Sequence, residues 1–385
     1  MDSTSIDMTI AISHVDVISS GVRQFNRTVL IKNGTIIDVV EAGSALPDDT
    51  IIHDYSGHIL LPGLIDLQIY GAGGNLFGGN PSIAALDCME VELSRQGVTG
   101  FMATMATNTP EVFNKGIESA LYKRKNSIGN CWGLHLEGPY LNKAKRGAHP
   151  EELIRKPTQN EIELLIQNSS GCIKMMTVAP ENIDESILTT MNNAGIILSI
   201  GHSNANYEQG KYYFQNSLIR SATHLFNAMP VLHHRDVGFT LAVLESNTYA
   251  SIVVDGIHVH YSMVKFAKQQ LKQKLFLITD AVTETNEGIY QHISHNNEYY
   301  KMPDGTLSGS ALTLLKAIYN CVYYCDITLE ESVNMATLYP AEVIKCDHIK
   351  GKIERGYDAD ICIINSALQP IATYIAGKRV YCATI

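Results

Sequence analysis

Apolar and polar residues nearly alternate from Ile10 to Ile18, the period-two pattern of a β-strand with one buried face. Two further runs, Thr28 to Ile31 and Thr35 to Val40, flank the dipeptide Asn33-Gly34. Asn-Gly is strongly favoured in two-residue β-hairpin turns, because both of its residues tolerate positive φ. The chain is therefore predicted to open as β-structure.

After Gly57 the pattern changes to short apolar runs separated by stretches with helical spacing, as in Ser82 to Gln96 and Pro110 to Lys125. Eight buried strands alternating with helices favour a closed parallel (β/α)₈ barrel, although an open doubly wound sheet gives a similar local pattern. The eight runs are Ile59 to Ile69, Val98 to Thr104, Trp132 to Leu136, Lys174 to Val178, Ile196 to Ile200, Ala222 to Phe226, Ser251 to Val254 and Leu275 to Thr279.

Two helices, Ala311 to Tyr324 and Leu329 to Ile344, are expected to complete the barrel. The segments Asp360 to Ile364 and Ile371 to Tyr381 then return to β-patterning. Because both ends are β-rich and the middle alternates, the simplest arrangement pairs the ends into one small β-domain. We predict a barrel domain at 61–347, with residues 1–60 and 348–385 forming the small domain.

Composition narrows the possible partners and compartments. The chain has 385 residues, 45% of them hydrophobic, and a formal net charge of -10, which disfavours binding to nucleic acid or to an anionic membrane. No apolar run is long enough to span a bilayer, and residues 1–7 show no secretory pattern. The eight cysteines form no Cys-x-x-Cys pair, which is typical of reduced thiols. We expect a soluble cytoplasmic protein.

Polar residues suited to metal or proton chemistry follow most of the predicted strands. In a barrel these positions lie together at the carboxyl ends of the strands, where catalytic groups from different strands meet. For any single residue, an ordinary hydrogen-bonding role at a strand end is the more common alternative. The set comprises Gln68, Tyr70, Glu137, His202, His224 and Asp280.

Two imidazoles and a carboxylate, here His202, His224 and Glu137, are the ligand set of many hydrolytic zinc sites. Three protein ligands leave one position open for water, whose pKa the metal lowers to about 7. Asp280 would take the proton from that water and deliver it to a leaving amine. The ligand set predicts one divalent ion per chain; it favours zinc, and iron, cobalt and manganese remain open.

Eight motifs in this order and spacing resemble the N-acetylglucosamine-6-phosphate deacetylase family of the amidohydrolase superfamily. The resemblance implies a β-sandwich built from both termini, a homodimer, and a sugar phosphate as substrate. The motifs are Leu61-Pro-Gly-Leu-Ile-Asp66, His135-Leu-Glu-Gly-Pro139, Gly201-His-Ser-Asn-Ala205, Thr223-His-Leu-Phe-Asn-Ala-Met-Pro230, Asp255-Gly-Ile-His-Val259, Thr279-Asp-Ala281, Ser308-Gly-Ser-Ala-Leu312 and Ala336-Thr-Leu-Tyr-Pro-Ala341.

The resemblance also implies roles for individual residues. It identifies Glu137, His202 and His224 as metal ligands and Asp280 as the catalytic carboxylate. It further implies substrate contacts for His149, a phosphate-holding loop at Asn227 and Ala228, a phosphate-side histidine at His258, and an arginine at Arg235 that reaches the phosphate of the neighbouring subunit. On pattern alone, the polar stretch His233-His-Arg-Asp236 favours an exposed loop charge for Arg235. The corresponding alternative for His149 is an ordinary loop histidine near Pro150.

One position departs from the pattern of many amidohydrolases, which carry His-x-His after the first barrel strand and hold a second metal there. This chain has Gln68-Ile-Tyr70, and neither an amide nor a phenol replaces imidazole well as a ligand. The role of Tyr70, whether packing or lining the pocket, stays open at this stage.

The resulting prediction is a metal-dependent amidohydrolase that converts N-acetylglucosamine 6-phosphate to glucosamine 6-phosphate and acetate. One alternative keeps this chemistry and changes the sugar, for example to N-acetylgalactosamine 6-phosphate. A second alternative is a non-catalytic relative that serves as a binding protein. Such a relative is expected to lose metal ligands or the proton-transfer carboxylate, whereas all four residues are present here.

Overall fold

A computed structural model describes residues 8–285 and 287–383. Residues 1–7, for which no secretory pattern is predicted, and residues 384–385 of the predicted C-terminal segment lie outside the described residues. Among the described helices, none combines the length and apolar character that a membrane crossing requires.

In chain order the strands are β1 (Ile10–Ser19), β2 (Val22–Lys32), β3 (Thr35–Glu41), β4 (Ile51–Asp54), β5 (Ile59–Pro62), β6 (Leu64–Ile69), β7 (Gly71–Ala72), β8 (Asn75–Leu76), β9 (Val98–Ala106), β10 (Cys131–Glu137), β11 (Ile173–Val178), β12 (Ile197–Ile200), β13 (Ser221–Ala222), β14 (Tyr249–Ile252), β15 (Leu275–Leu277), β16 (Ile293–His295), β17 (Tyr299–Lys301), β18 (Leu307–Ser310), β19 (Ile361–Ile364), β20 (Pro370–Ile375) and β21 (Lys378–Cys382). The α-helices are α1 (Ile83–Arg95), α2 (Pro110–Asn126), α3 (Gln159–Ser169), α4 (Glu185–Asn193), α5 (Tyr207–Gln215), α6 (Gly238–Glu245), α7 (Tyr261–Leu271), α8 (Leu314–Tyr324), α9 (Leu329–Ala336) and α10 (Leu338–Val343).

Both ends of the chain build one mixed eight-stranded sheet, in the order β21-β20-β19-β5-β1-β2-β3, with β4 paired to β1. The junction between the two ends is antiparallel, with Cys362 of β19 opposite Leu61 of β5. A separate apolar cluster that includes Val29, Leu60 and Ile363 packs on this sheet. The predicted pairing of the two β-rich ends is confirmed.

The middle of the chain forms a parallel barrel in the order β6-β9-β10-β11-β12-β13-β14-β15. The ends meet beyond β15, where the Asp280 N–H donates to the Gln68 carbonyl at 3.0 Å and the Tyr70 N–H to the Ala281 carbonyl at 2.9 Å. Ala281 also forms a parallel bridge with Ile69. The predicted barrel is therefore confirmed over the open-sheet alternative.

The apolar run Ile59 to Ile69, predicted as one strand, consists of two strands in different sheets. β5 belongs to the terminal sheet and β6 to the barrel, and the chain crosses between them at Gly63. A Cβ at Gly63 would lie 1.9 Å from the Thr99 hydroxyl oxygen, so only glycine allows this close approach. Apolar periodicity does not reveal the crossing, because both strands are fully buried.

The predicted helix Leu329 to Ile344 was also wrong in detail, because it divides into α9 and α10 at Thr337. Thr337 has φ -135° and ψ -74°, outside the helical region. Pro340, three residues later, has no N–H to donate to the carbonyl four residues before it and cannot continue a helix from α9. The Thr337 hydroxyl donates to the Val333 carbonyl at 2.7 Å and closes the end of α9.

A small antiparallel sheet, β16-β17-β18, is inserted between the last barrel strand and α8 and was not predicted. Ser310, the last residue of β18, bridges Ala281 at the carboxyl end of the barrel. Tyr70, Val282 and Tyr290 form an apolar cluster there, against which Tyr300 and Met302 pack. This insertion supplies one wall of the site described below.

Helices α1 and α2 are joined by a buried ion pair that yields a first prediction. The Lys123 ammonium lies 2.6 Å from Glu90 Oε2, and both side chains are almost fully buried, at 3% and 2% exposure. Lys123→Met would leave the Glu90 carboxylate buried without its cation, which typically costs about 3–5 kcal/mol of unfolding free energy. Urea unfolding followed by circular dichroism measures this loss.

The matched control is the double variant Lys123→Met with Glu90→Leu, since replacing both members of a buried pair by apolar groups is often nearly neutral. It should regain a large part of the lost stability. Full stability in the single variant would contradict the assigned role of the pair.

Candidate active site

Three predicted metal ligands lie at the carboxyl ends of the barrel strands β10, β12 and β13. Glu137 is the last residue of β10, while His202 and His224 each lie two residues beyond the end of a strand. Both histidines have left-handed backbone conformations, with φ of 48° and 35°. These turns end the strands and direct both rings toward Glu137; the predicted strand Ala222 to Phe226 is thereby shortened to β13.

The ligand atoms converge on a single point. The Nε2 atoms of His202 and His224 lie 3.4 and 3.1 Å from Glu137 Oε1 and 3.1 Å from each other. A tetrahedral ion with bonds of about 2.1 Å holds its ligands roughly 3.4 Å apart, so the spacing suits a metal.

The tautomer of the His202 ring follows from the hydrogen bond that its Nδ1 makes. Its Nδ1 lies 2.8 Å from the carbonyl oxygen of Lys145, which only accepts hydrogen bonds. Nδ1 therefore carries the hydrogen, and in the neutral ring Nε2 presents a lone pair to the cluster. Ordering a ligand ring through its other nitrogen is a common feature of protein metal sites. The donor set thus fits a divalent cation.

His149 also reaches this cluster, although the sequence resemblance placed it with the substrate. Its Nε2 lies 3.2 Å from Glu137 Oε2, and Glu137, His149 and His202 together form a potential metal-binding group. Its Nδ1, however, accepts the Thr107 N–H at 3.3 Å. The hydrogen of a neutral His149 ring is then on Nε2, where it can be donated to Glu137 Oε2.

The pKa shifts of Glu137, His149 and His224 follow from burial and from the charges that these residues place on one another. Burial by itself raises the pKa of Glu137, but the surrounding histidines, His202 foremost, hold it well below its usual range. Burial and the neighbouring His202 lower the pKa of His149 to about 4, which keeps that ring neutral. Burial also opposes a charge on His224, yet its hydrogen bond to Glu137 outweighs burial and raises the pKa of that ring. The cluster therefore favours positive charge beside Glu137.

Gln68 and Tyr70, whose role the sequence left open, are both hydrogen-bonded inside the site. The Tyr70 hydroxyl donates to Glu137 Oε2, and the Gln68 amide donates to the Tyr70 oxygen at 2.9 Å and to Glu137 Oε1 at 3.1 Å. Burial and the charge on Glu137 raise the pKa of Tyr70 well above its usual value, so the phenol stays protonated. Tyr70 is thus a fixed donor to the buried carboxylate as well as part of the cavity wall.

Asp280 lies beside this network. Its Oδ1 lies 2.9 Å from the same Gln68 amide nitrogen, whose two hydrogens are shared among Asp280, Glu137 and Tyr70. Burial raises the pKa of Asp280, while the nearby His224 partly opposes the shift. A carboxyl group with a raised pKa, positioned beside the predicted ligands, is suited to accept a proton and return it.

A cavity of about 270 Å³ brings most of the predicted residues together. Its wall includes the three predicted ligands and Asp280, together with His149, Asn227, Ala228 and His258. The His258 ring is held by Asp255, with Nδ1 2.6 Å from Oδ2. Arg235 does not line this cavity; it is exposed in the loop between β13 and α6.

Sequence reasoning missed several residues of the cavity, among them Tyr290 and His292, whose rings stack with centroids 5.9 Å apart. The Tyr290 hydroxyl donates to the Thr107 carbonyl at 2.8 Å, and burial lowers the pKa of His292 to about 4. Both lie before β16 in a segment without regular periodicity, so no pattern indicated that they face the site.

A parallel barrel with carboxylate and imidazole groups at the strand ends defines a metal-dependent hydrolase of carbon–nitrogen bonds, and the amidohydrolase family profile matches residues 59–380. N-acetylglucosamine-6-phosphate deacetylase of Haemophilus influenzae is 35% identical over 363 residues, 91% of this chain and 93% of that protein. N-acetylgalactosamine-6-phosphate deacetylase of a Shewanella species is 31% identical over 84% of this chain and 83% of its own length.

Among solved structures, N-acetylglucosamine-6-phosphate deacetylase from Pasteurella multocida superposes with a TM-score of 0.92 at 28% identity, covering 97% of this chain and 100% of that one. The chain belongs to the N-acetylglucosamine-6-phosphate deacetylase family of the amidohydrolases.

The hydrogen bond from Tyr70 generates a second prediction. Tyr70→Phe removes one donor to Glu137 without changing the ring, and loss of such a supporting partner typically weakens metal binding about 10–100-fold. Competition with a chromogenic chelator measures the affinity. Tyr140→Phe, which removes a buried hydroxyl bonded to Glu161, is the matched control. Equal affinity in both variants would show that Tyr70 only fills space.

Proposed function

We propose that this protein hydrolyses the acetamide of N-acetylglucosamine 6-phosphate, giving glucosamine 6-phosphate and acetate. The observation that carries the proposal is the convergence of Glu137, His202, His224 and Asp280 in one cavity. The 35% identity to a deacetylase of this specificity over nearly the whole chain supports the choice of substrate. Acetate release from the phosphosugar by metal-loaded protein is the direct test.

We propose that Glu137, His202 and His224 hold a divalent ion, which when bound polarises the acetamide carbonyl and acidifies water. Asp280 accepts the proton of the attacking water and passes it to the nitrogen as the carbon–nitrogen bond breaks. The Gln68 amide orients Asp280 by holding Oδ1, so the other oxygen is available to the reacting groups. His149, neutral and with hydrogen on Nε2, is placed to donate to Glu137 or to the substrate.

We assign the phosphate end of the substrate to the part of the cavity that Asn227, Ala228 and His258 line. Asn227 and Ala228 follow His224 in a tight loop, in which Ala228 has φ 50°, and His258 lines the same cavity. We propose that these residues and Arg235 from a second subunit bind the phosphate. An exposed arginine without an ion-pair partner among the described residues suits a phosphate dianion.

Two alternatives remain. Similarity to an N-acetylgalactosamine-6-phosphate deacetylase supports the epimeric sugar as a second candidate, and a comparison of turnover on the two sugars decides between them. The non-catalytic alternative is disfavoured, because the ligands and the proton-transfer carboxylate are all present and face one cavity.

The identity of the metal, the oligomeric state and the cellular compartment of the protein can also be proposed. We propose zinc as the ion, a homodimer, and a cytoplasmic location, which the free state of the eight cysteines supports. We retain as a proposal the division into a barrel at 61–347 and a small domain of 1–60 and 348–385; the chain crosses between the two sheets at Gly63, two residues after the proposed boundary.

Asp280→Asn tests the proton-transfer role. The amide is nearly isosteric but cannot accept a proton, so turnover should fall by about 10²–10⁴-fold while metal content and thermal stability stay unchanged. Asp326→Asn, an exchange at an exposed helix-end aspartate, is the control. Turnover within a factor of a few of wild type would rule out the assignment.

Arg235→Ala tests phosphate recognition. Removing the guanidinium should raise KM for the 6-phosphate substrate and leave the slow hydrolysis of unphosphorylated N-acetylglucosamine nearly unchanged, since only the first substrate has a dianion to bind. Steady-state kinetics on both substrates, with Arg355→Ala as an exposed control, measure this difference. An equal loss on both substrates would assign Arg235 a structural role instead.

Metal stoichiometry tests the ligand set. Since Tyr70 and Gln68 bond to Glu137 and supply no imidazole, a second ion should bind weakly. Elemental analysis after extensive dialysis should find one divalent ion per active chain, and His202→Ala or His224→Ala should abolish both metal and activity. Two retained equivalents would contradict the proposed single site.

A further inference from the structure

A second cavity, larger than the active-site cavity, lies elsewhere in the barrel. It has a volume of about 790 Å³ and lies at the opposite, amino-terminal end of the barrel strands. Its wall follows the starts of five consecutive strands, β10 to β14. It includes, in chain order, Trp132, Lys174, Ile197, Arg220 and Tyr249. Glu137 is at the other end of β10, so the length of the barrel separates the two cavities.

The charge of this wall is opposite to that of the chain. Four basic residues line the cavity, Lys174, Arg220, Lys345 and Lys350, and none of its lining residues is acidic. The formal net charge of the chain is -10, so a purely cationic lining is a local feature. A concave surface with one sign of charge concentrates ligands of the opposite sign.

Two of the four cations are already engaged in the fold. The Arg220 guanidinium donates to the carbonyls of Val343 and Glu342 at 2.7 and 2.8 Å, and the Lys350 ammonium is paired with two aspartates. Lys174 and Lys345, in contrast, have no ion pair or hydrogen bond from their amines within the ranges that the structure describes. Two ammonium groups beside the cavity are therefore available to an anion.

Three aromatic residues, Trp132, Phe214 and Tyr249, lie among the aliphatic and small polar residues that make up the remainder of the wall. The Trp132 ring lies against Gly100, where a Cβ would be only 2.1 Å from the ring, and its N–H donates to the Gly129 carbonyl at 3.2 Å. Tyr249 lies 4.0 Å from the Lys274 ammonium, measured to the ring centroid, and Phe214 completes the aromatic surface. Flat rings in fixed positions suit a planar ligand group.

We propose that this cavity is a second binding site, for a nucleoside phosphate. The phosphate contacts Lys174 and Lys345, and the base packs on the aromatic wall at Trp132. The volume falls within the roughly 300–1,000 Å³ of small-molecule sites and exceeds what an inorganic ion fills. This site is independent of the deacetylase assignment, because none of its residues lines the other cavity.

Trp132 allows a direct test, because it is the only tryptophan in the chain. Titration of the metal-loaded protein with adenosine 5′-monophosphate should change its fluorescence in a saturable manner, with matching heat in calorimetry. Adenosine and inorganic phosphate should each bind at least about tenfold more weakly, since each makes only part of the contacts. Phosphate binding as tightly as the nucleotide, or no saturable change with any probe, would overturn the proposal.

Charge-reversal variants test whether the nucleotide binds in this cavity. Lys174→Glu with Lys345→Glu should weaken nucleotide binding by at least about tenfold, because charge-assisted hydrogen bonds to phosphate are among the stronger polar contacts. Lys115→Glu with Lys125→Glu makes the same charge change at exposed positions of α2 and should leave the affinity unchanged. If the cavity double variant unfolds, the exposed Lys345→Glu alone should still weaken binding several-fold.

A third variant, Arg235→Ala, distinguishes nucleotide binding in the amino-terminal cavity from binding in the active site. Arg235→Ala should retain nucleotide affinity if the amino-terminal cavity is the site. Equal weakening in the cavity and α2 variants, or loss of binding in Arg235→Ala with none in the cavity variant, would contradict the proposal.

Discussion

The closing seam of the barrel is the interaction on which the site depends. Two backbone hydrogen bonds join the segment after β15 to the end of β6, one from Asp280 to Gln68 and one from Tyr70 to Ala281. Because all eight strands are parallel, this closure brings every carboxyl end to the same rim. It also places the Gln68 side chain between Asp280 and Glu137, so the bonds that complete the fold also set the spacing of the reactive groups.

The centre of that rim is one buried carboxylate with two distinct oxygens. Glu137 Oε1 faces His202, His224 and the Gln68 amide. Oε2 is held by Tyr70 and lies beside His149. A buried carboxylate is costly unless its charge is balanced and its lone pairs are used, and here neutral donors hold one oxygen while the other faces the two imidazoles. The carboxylate is thereby fixed in one orientation.

Much of the fold and of the candidate site could be predicted from the sequence, because strands and the polar residues that follow them form recognisable local patterns. The alternation of strands and helices predicted the barrel, and the polar residues after the strands predicted the cluster of Glu137, His202, His224 and Asp280. Local patterns do not carry information on contacts between distant residues. The donation from Tyr70 to Glu137, and the inserted sheet that brings Tyr290 and His292 to the cavity, depend on how segments far apart in the chain pack together.

The loop between β10 and α3 has two structural roles in this protein. It carries His149, which lines the cavity, and its Lys145 carbonyl fixes the His202 ring. In many barrel enzymes, loops change substrate preference while the strands keep the catalytic groups constant. Here a loop replacement that admitted a new substrate would also release a ligand ring. A change of specificity through this loop is therefore coupled to a change in metal affinity, and new activities should arise more readily through the inserted sheet β16-β17-β18.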